Sequence, residues 1–208
     1  MKEDQYSLLK EKIKSKDFNS VFVLVDENTD KHCLDVFINK SSIEKYNKII
    51  IKAGEENKNI DTCIQIWKEL NLQKADRKSL LINLGGGVLT DIGGFVASTY
   101  LRGIKFINIP TTLLAQVDSS IGGKTGVNTK YGKNLVGTFY QPEGVLIDIN
   151  FLKTLPEREL LAGFAEVIKY SFIYDKKFFN YLEKNIESIQ KLKSPYIENI
   201  IFQSCQIK

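Results

Sequence analysis

Glu166 and Lys169 stand three residues apart in the stretch AGFAEVIKY, residues 162–170, so on a helix they share a face. Phe164, Ala165, Val167, Ile168 and Tyr170 surround the two charges with apolar and aromatic side chains. Left exposed, such a pair contributes only roughly a few tenths of a kcal/mol. Buried, it calls for a third partner, either a metal ion or an anionic substrate. The residues alone leave both readings open.

A second candidate is the glycine triplet Gly85, Gly86 and Gly87, which follows the apolar run SLLINL and precedes a helix-forming stretch. Such a turn lets backbone N–H groups approach a phosphate. A tight strand-to-helix connection needs the same glycines, so this too stays open. The triplet is not the dinucleotide fingerprint GxGxxG, because Val88-Leu89 is followed by Thr90 and Asp91. Asp91, in the first helical turn, is placed to cap the helix or to accept from a hydroxyl.

The third is IPTTLLAQVDSSIGGKTGVNTKYGKN, residues 109–134. Its only charges are Asp118, Lys124, Lys130 and Lys133, set among hydroxyls and glycines and interleaved with Leu113, Leu114, Val117, Ile121 and Val127. A merely solvated loop does not need that apolar interleaving. Lys124 and Lys133 each lie beside a glycine, where a ligand can come close, and the run reads as an anion pocket. The sole histidine, His32, sits between Lys31 and Cys33 in a polar stretch and reads as a surface residue. One histidine with scattered cysteines cannot assemble a His-rich zinc site.

Positioning these groups requires a frame, and the apolar pattern supplies one. Residues 20–25, 48–51, 79–84, 106–109 and 144–148 read as strands, and residues 61–70 as a helix with Asp61 as its cap. Residues 88–100 read as a second helix. Strand, helix and strand joined by short connections predict a parallel α/β sheet. Thr111 and Thr112 then follow a strand and a proline, where ligands of open α/β sheets bind. From residue 157 onward the pattern is helical with a single glycine, Gly163, which places a domain boundary near Leu155-Pro156.

With 208 residues, 43% hydrophobic and 26% charged, the chain has the composition of a globular domain, or of one domain and part of another. A net charge of +4, from 29 basic and 25 acidic residues well interspersed, is too weak to point to nucleic acid. Cys33, Cys63 and Cys205 are distant and odd in number and read as reduced thiols of a cytoplasmic protein. The charged opening MKEDQYSLLKEKIK lacks a signal core, and no apolar run nears the roughly 20 residues that span a bilayer.

GGGVLTDIGGFVASTYLRG, IPTTLLAQVDSSIGGKTGVN, YGKNLVGTFYQP and the string from LKTLPEREL to AGFAEVIKY resemble the 3-dehydroquinate synthases, of the sugar phosphate cyclase superfamily. The resemblance is dense over residues 54–175 and looser toward the N-terminus. It implies a Rossmann-like NAD-binding α/β domain with a parallel sheet over residues 1–155, then the opening helices of an all-α metal and substrate domain over 156–208. The reaction implied is conversion of the seven-carbon sugar acid phosphate DAHP to 3-dehydroquinate in the shikimate pathway. It proceeds by transient oxidation on bound NAD, phosphate elimination, re-reduction and aldol closure, with a divalent metal, zinc or cobalt.

Residue by residue, the resemblance assigns the cofactor to Asp26, Glu55, Lys58, Gly85, Gly86, Gly87, Val88, Asp91, Thr111, Thr112, Lys124 and Lys133. Phe151, Leu152, Lys153 and Thr154 complete that set. It assigns substrate and phosphate binding to Arg102, Asp118, Lys124, Lys133, Asn134 and Lys169, and the metal to Glu166. The cations suit a substrate bearing both a carboxylate and a phosphate. Thr90 replaces a common glycine and Thr129 a frequent histidine. The two histidine metal ligands of the family are absent from this chain, so the sequence is expected to be a fragment, inactive alone and a homodimer when full length. Rival readings are another cyclase making an inosose- or valiolone-type ring, a metal-dependent polyol dehydrogenase, and a degenerate fragment that binds nucleotide or nothing.

Overall fold

The computed structural model describes residues 5–16, 18–174 and 176–208; the first four residues of the charged opening lie outside them. In chain order it begins with α1 (Gln5–Ser15), β1 (Ser20–Asp26) and α2 (Glu27–Thr29). A π-helical turn at Asp30–Leu34 leads into α3 (Asp35–Ser41), followed by β2 (Asn47–Ile51), α4 (Ile60–Leu72), β3 (Ser79–Gly85), α5 (Gly87–Thr99) and β4 (Lys105–Pro110). A second π-helical turn, Ala115–Ser119, precedes the hairpin of β5 (Lys124–Thr129) and β6 (Gly132–Phe139). Then come a 3-10 turn at Ile149–Thr154 and the helices α6 (Glu157–Tyr174), α7 (Lys176–Gln190) and α8 (Tyr196–Ile207).

The four-stranded sheet has the order β2-β1-β3-β4, and every pairing in it is parallel. Parallel strands covered on both faces read as continuous apolar runs, and all seven residues of β3 are buried. On one face Phe22, Leu24 and Leu81 pack with Ile66 and Leu70 of α4 and Ile92 and Val96 of α5. On the other, Val23, Val25, Leu80 and Ile82 pack with Tyr6 and Leu9 of α1 and Phe37 of α3. Each such Leu, Ile or Phe contributes about 1.5–3 kcal/mol by leaving water. A third cluster joins Phe164 and Val167 of α6, Phe178 and Leu182 of α7, and Ile197 and Ile200 of α8 to Leu113, Val117 and Leu152.

The α/β sheet followed by helices agrees with the expectation, and so do the four strands 20–25, 48–51, 79–84 and 106–109. Three details differ. Asn59, not Asp61, caps α4, because its side chain accepts from the Thr62 N–H at 3.0 Å while Asp61 already lies inside the helix. Residues 144–148 form no strand: Val145 makes one isolated parallel bridge to Asn108, and the chain then turns at Asp148. The Asp148 carboxylate accepts from Asn150 N–H, Tyr6 and Lys40, which bends the backbone out of the ladder. Finally, the glycine- and lysine-rich run ends in the β5–β6 hairpin, which the sequence reading did not contain. Among the described residues no helix is long and apolar enough to cross a membrane.

Candidate functional site

All four parallel strands end on one edge of the sheet, where β1 closes on Asp26 and the segments after β2, β3 and β4 carry Glu55, Gly86 and Thr111. The edge is closed by backbone contact: Thr111 N–H donates to the Gly85 carbonyl at 3.0 Å. Gly86 forms the N-cap of α5 with no side chain satisfying the first N–H groups of the helix. A Cβ on Gly87 would come to 2.9 Å from Ser119 Oγ, so the glycine lets the Ser119 side chain lie against this turn without shifting. Ser119 Oγ is itself buried without a hydrogen-bond partner. Uncapped helix N–H groups and an orphaned hydroxyl at one point fit an anionic group such as a cofactor phosphate.

Beside the turn lies a buried charge network. The Lys58 ammonium, 5% exposed at its side chain, meets Asp91 Oδ2 at 2.5 Å and Asn134 Oδ1 at 2.6 Å. The Lys58 carbonyl accepts from Asn128 N–H at 2.7 Å, and Asn128 in turn donates to Glu55 Oε1 at 2.8 Å. Lys133 lies 3.5 Å from the same Glu55 oxygen. Asn134, at φ +56°, takes the left-handed backbone that asparagine tolerates, and this aims its amide at Lys58. Burial pushes the Asp91 carboxyl above the usual range, and Lys58 opposes that shift. A groove of about 810 Å³ opens along this network, between Glu55, Asn59 and Ile60 on one wall and Val127, Asn128 and Lys133 on the other.

Across from the glycine turn, α6 presents Glu166, Lys169 and Tyr170. The Lys169 ammonium donates to Glu166 Oε1 at 2.6 Å, and Glu166 raises the lysine pKa. The pair is only half enclosed, with side chains 57% and 18% exposed for Lys169 and Glu166. Tyr170 donates to Asp118 Oδ1 at 2.7 Å, and Lys208 reaches the same oxygen at 2.5 Å. Burial alone would raise the Asp118 carboxyl; the hydrogen bonds from Lys208 and Tyr170 outweigh it and hold the group below the usual range.

The structure therefore brings together Gly85, Gly86, Gly87, Val88, Thr111 and Thr112 at the turn, Glu55, Lys58, Asp91, Lys133 and Asn134 in the network, and Asp118, Glu166 and Lys169 near α6. Asn134 joins Lys58, while Lys124 opens β5, exposed, opposite Phe139. Asp26 Oδ1 is engaged as the cap of α2, accepting from Asn28 and Thr29 N–H. Phe151 and Leu152 are core residues, whereas Lys153 and Thr154 are exposed. Arg102 follows the C-terminal end of α5, a helix length of about 18 Å from the glycine turn, and is not gathered with the others.

Tyr170 and Lys208 were not among the residues the sequence singled out, since nothing local marks a partner of Asp118 lying 52 residues or more away. Among the described residues no three His, Cys, Asp or Glu side chains converge on one point. His32 is exposed on the turn after β1. Glu166 is one carboxylate already engaged by Lys169, and the residues present do not hold a metal ion by themselves.

Against known proteins, a family model described as 3-dehydroquinate synthase N-terminal matches residues 48–162, and one described as 3-dehydroquinate synthase C-terminal matches residues 163–208. The chain belongs to the 3-dehydroquinate synthase family. The 3-dehydroquinate synthase of Pelagibacter ubique (strain HTCC1062) is 49% identical over 192 residues, which is 92% of this chain and 52% of that relative. The chain spans about half the length of the curated relatives it matches. Among solved structures, ValA, a 2-epi-5-epi-valiolone synthase from Streptomyces hygroscopicus subsp. jinggangensis 5008 with NAD+ and Zn2+ bound, superposes with a TM-score of 0.83 at 30% identity, over 90% of this chain and 53% of that one. A 2-deoxy-scyllo-inosose synthase complexed with carbaglucose-6-phosphate, NAD+ and Co2+ gives a TM-score of 0.70 at 29% identity, over 77% of this chain and 46% of that one.

Proposed function

We propose that this chain carries the cofactor-binding and part of the substrate-binding surface of an NAD-dependent 3-dehydroquinate synthase acting on DAHP. The observation that carries the reading is the glycine turn at the C-terminal edge of the sheet, faced by Ser119 and flanked by the Lys58–Asp91 network. When bound, NAD supplies the transient oxidation and re-reduction of one substrate hydroxyl. In this reading Gly86, Gly87 and Ser119 take the pyrophosphate, and Asp91 and Lys58 take ribose hydroxyls. Lys124, Lys133 and Lys169 bind the phosphate and carboxylate of the substrate, and Asp118 accepts from one of its hydroxyls. Neighbours with Zn2+ or Co2+ support a divalent metal for the complete site, to which Glu166 would contribute one oxygen. No step is assigned to that ion, since its other ligands are not among the described residues.

The inosose and valiolone cyclases share the fold at about 30% identity, whereas relatives named 3-dehydroquinate synthase reach 50%. That difference favours dehydroquinate as the product. Polyol dehydrogenation would not call for the lysines that this reading assigns to a phosphate-bearing substrate. Calorimetric titration with NAD+ tests the cofactor half: saturable binding is expected, and no heat at millimolar NAD+ sinks it. A panel of sugar phosphates, each assayed for inorganic phosphate release with NAD+ and zinc or cobalt on the protein containing these residues, tests the rest. Release from DAHP alone is expected; release from a hexose phosphate instead, or net NADH from a polyol, selects a rival. The reading also includes a homodimer, which sedimentation velocity checks.

A further inference from the structure

We infer that Tyr170 is a positioning residue for Asp118, fixing which carboxylate oxygen faces the substrate. The inference rests on the cyclase reading, in which Asp118 meets a substrate hydroxyl. Tyr170 is buried on α6, one residue after Lys169 and four after Glu166, and its hydroxyl donates to Asp118 Oδ1 at 2.7 Å. Lys208 Nζ takes the same oxygen at 2.5 Å. Both donors therefore converge on Oδ1, and Oδ2 is the oxygen left to accept from a ligand.

Geometry makes the contact more than a helix-packing bond. Asp118 immediately precedes Ser119, the residue lying against Gly87, so a rotation of the Asp118 segment moves the wall of the glycine turn. Asp118 also acts electrostatically on Asp91 in the Lys58 network and on Lys169 of α6. Tyr170 thus ties the turn at Ala115–Ser119 to the helix carrying Lys169, through a carboxylate that acts on both Asp91 and Lys169. A phenol suits this role because burial and the adjacent carboxylates push its pKa up, so it stays a donor at every working pH.

The test is a double-mutant cycle of Tyr170→Phe and Asp118→Asn, with NAD+ and DAHP affinities measured by calorimetry. Tyr170→Phe is expected to leave NAD+ affinity within about twofold and to weaken DAHP about tenfold, the low end for a hydrogen bond to a charged group. In the Asp118→Asn background the same change is expected to cost nothing further. A second readout needs no substrate: the carboxyl carbon resonance of Asp118 is expected to titrate at higher pH in Tyr170→Phe. Equal losses for both ligands, additive losses in the double variant, or an unmoved Asp118 titration each overturn the inference. If the unmodified protein containing these residues binds NAD+ but not DAHP, the cyclase reading fails instead, and the Asp118 titration alone decides whether Tyr170 positions it.

Discussion

Replacing Lys58 with methionine isolates what holds the network together. The substitution keeps the length of the buried stem but deletes the ammonium, leaving Asp91 Oδ2 and Asn134 Oδ1 without the donor they share at 2.5 and 2.6 Å. Breaking a buried pair by removing one partner costs about 3–5 kcal/mol. Here the loss falls at or just below the low end, because Asp91 keeps 19% exposure at its side chain and has the alternative of taking up a proton. A destabilisation of about 2–3 kcal/mol is expected, which lowers Tm by roughly 5–10 °C in a chain of this size. The pH dependence has a definite sign. Asp91 already has a carboxyl raised by burial, and a group raised in the folded state is relieved as pH falls toward that value. Loss of Lys58 raises it further, so the deficit is largest near neutrality and shrinks in mild acid. Thermal melts of Lys58→Met, Asp91→Asn and the double variant at several pH values measure this. The double variant should recover about 2 kcal/mol relative to additivity, because an uncharged pair needs no counter-ion. A Lys58→Met melt within about 1 °C of the parent, or a deficit that is independent of pH, would refute the reasoning.

Gly87→Ala places a methyl 2.9 Å from Ser119 Oγ and is expected to weaken NAD+ at least tenfold by calorimetry with little change in melting, since a serine side chain can give way where a bound phosphate cannot. Gly163→Ala meets Leu113 Cβ at 2.6 Å and the Leu114 backbone nitrogen at 2.7 Å; overpacking of about 1–3 kcal/mol outweighs the roughly 1 kcal/mol gain in helix propensity, read as a lower denaturation midpoint. Glu143 is held down to about 2, chiefly by Lys105 and then by Lys16. Its stabilisation is present above the ordinary carboxylate range and is lost as pH falls from about 4.5 toward 2; because the lysines are 40–54% exposed, Glu143→Gln is expected to cost only about 1 kcal/mol at pH 7 and nothing at pH 2, by urea titration at both.

The strands were legible because a parallel sheet covered on both faces needs uninterrupted apolar runs, and SVFVLV and SLLINL are such runs. The glycine turn was legible for a related reason, since a strand emptying into three glycines has few uses. The hairpin was not. Its strands are KTGVNT and GKNLVGTF, without the alternation that marks a half-buried strand, because β6 is exposed along nearly its whole length and is ordered by contacts with α5 and Lys58. Local pattern also misplaced the cap of α4, where Asn59 and Asp61 are both good capping residues two positions apart and only the observed Thr62 contact separates them. The contact of Asn134 with Lys58 was not legible either, since spacing cannot encode a pairing across 76 residues.

The change of texture near Leu155-Pro156 marks a change in secondary structure rather than a break in packing. Leu113 and Val117, from the segment after β4, are buried in the same cluster as Phe164 and Val167 of α6. The Leu113 side chain lies where a Cβ on Gly163 would fall, so helix and segment touch at backbone range. Apolar contact of this kind fixes how near α6 comes but discriminates poorly between small rotations about its axis, since neighbouring faces of the helix are also apolar. Directional bonds have to supply that choice, and the one from Tyr170 to Asp118 does so on the side of α6 that faces the segment after β4. Rotation of α6 that carried Lys169 away from the site would break it, leaving Asp118 with Lys208 alone. Packing therefore sets the separation of the two surfaces, and among the described residues the tyrosine–aspartate contact is a directional bond that favours one register.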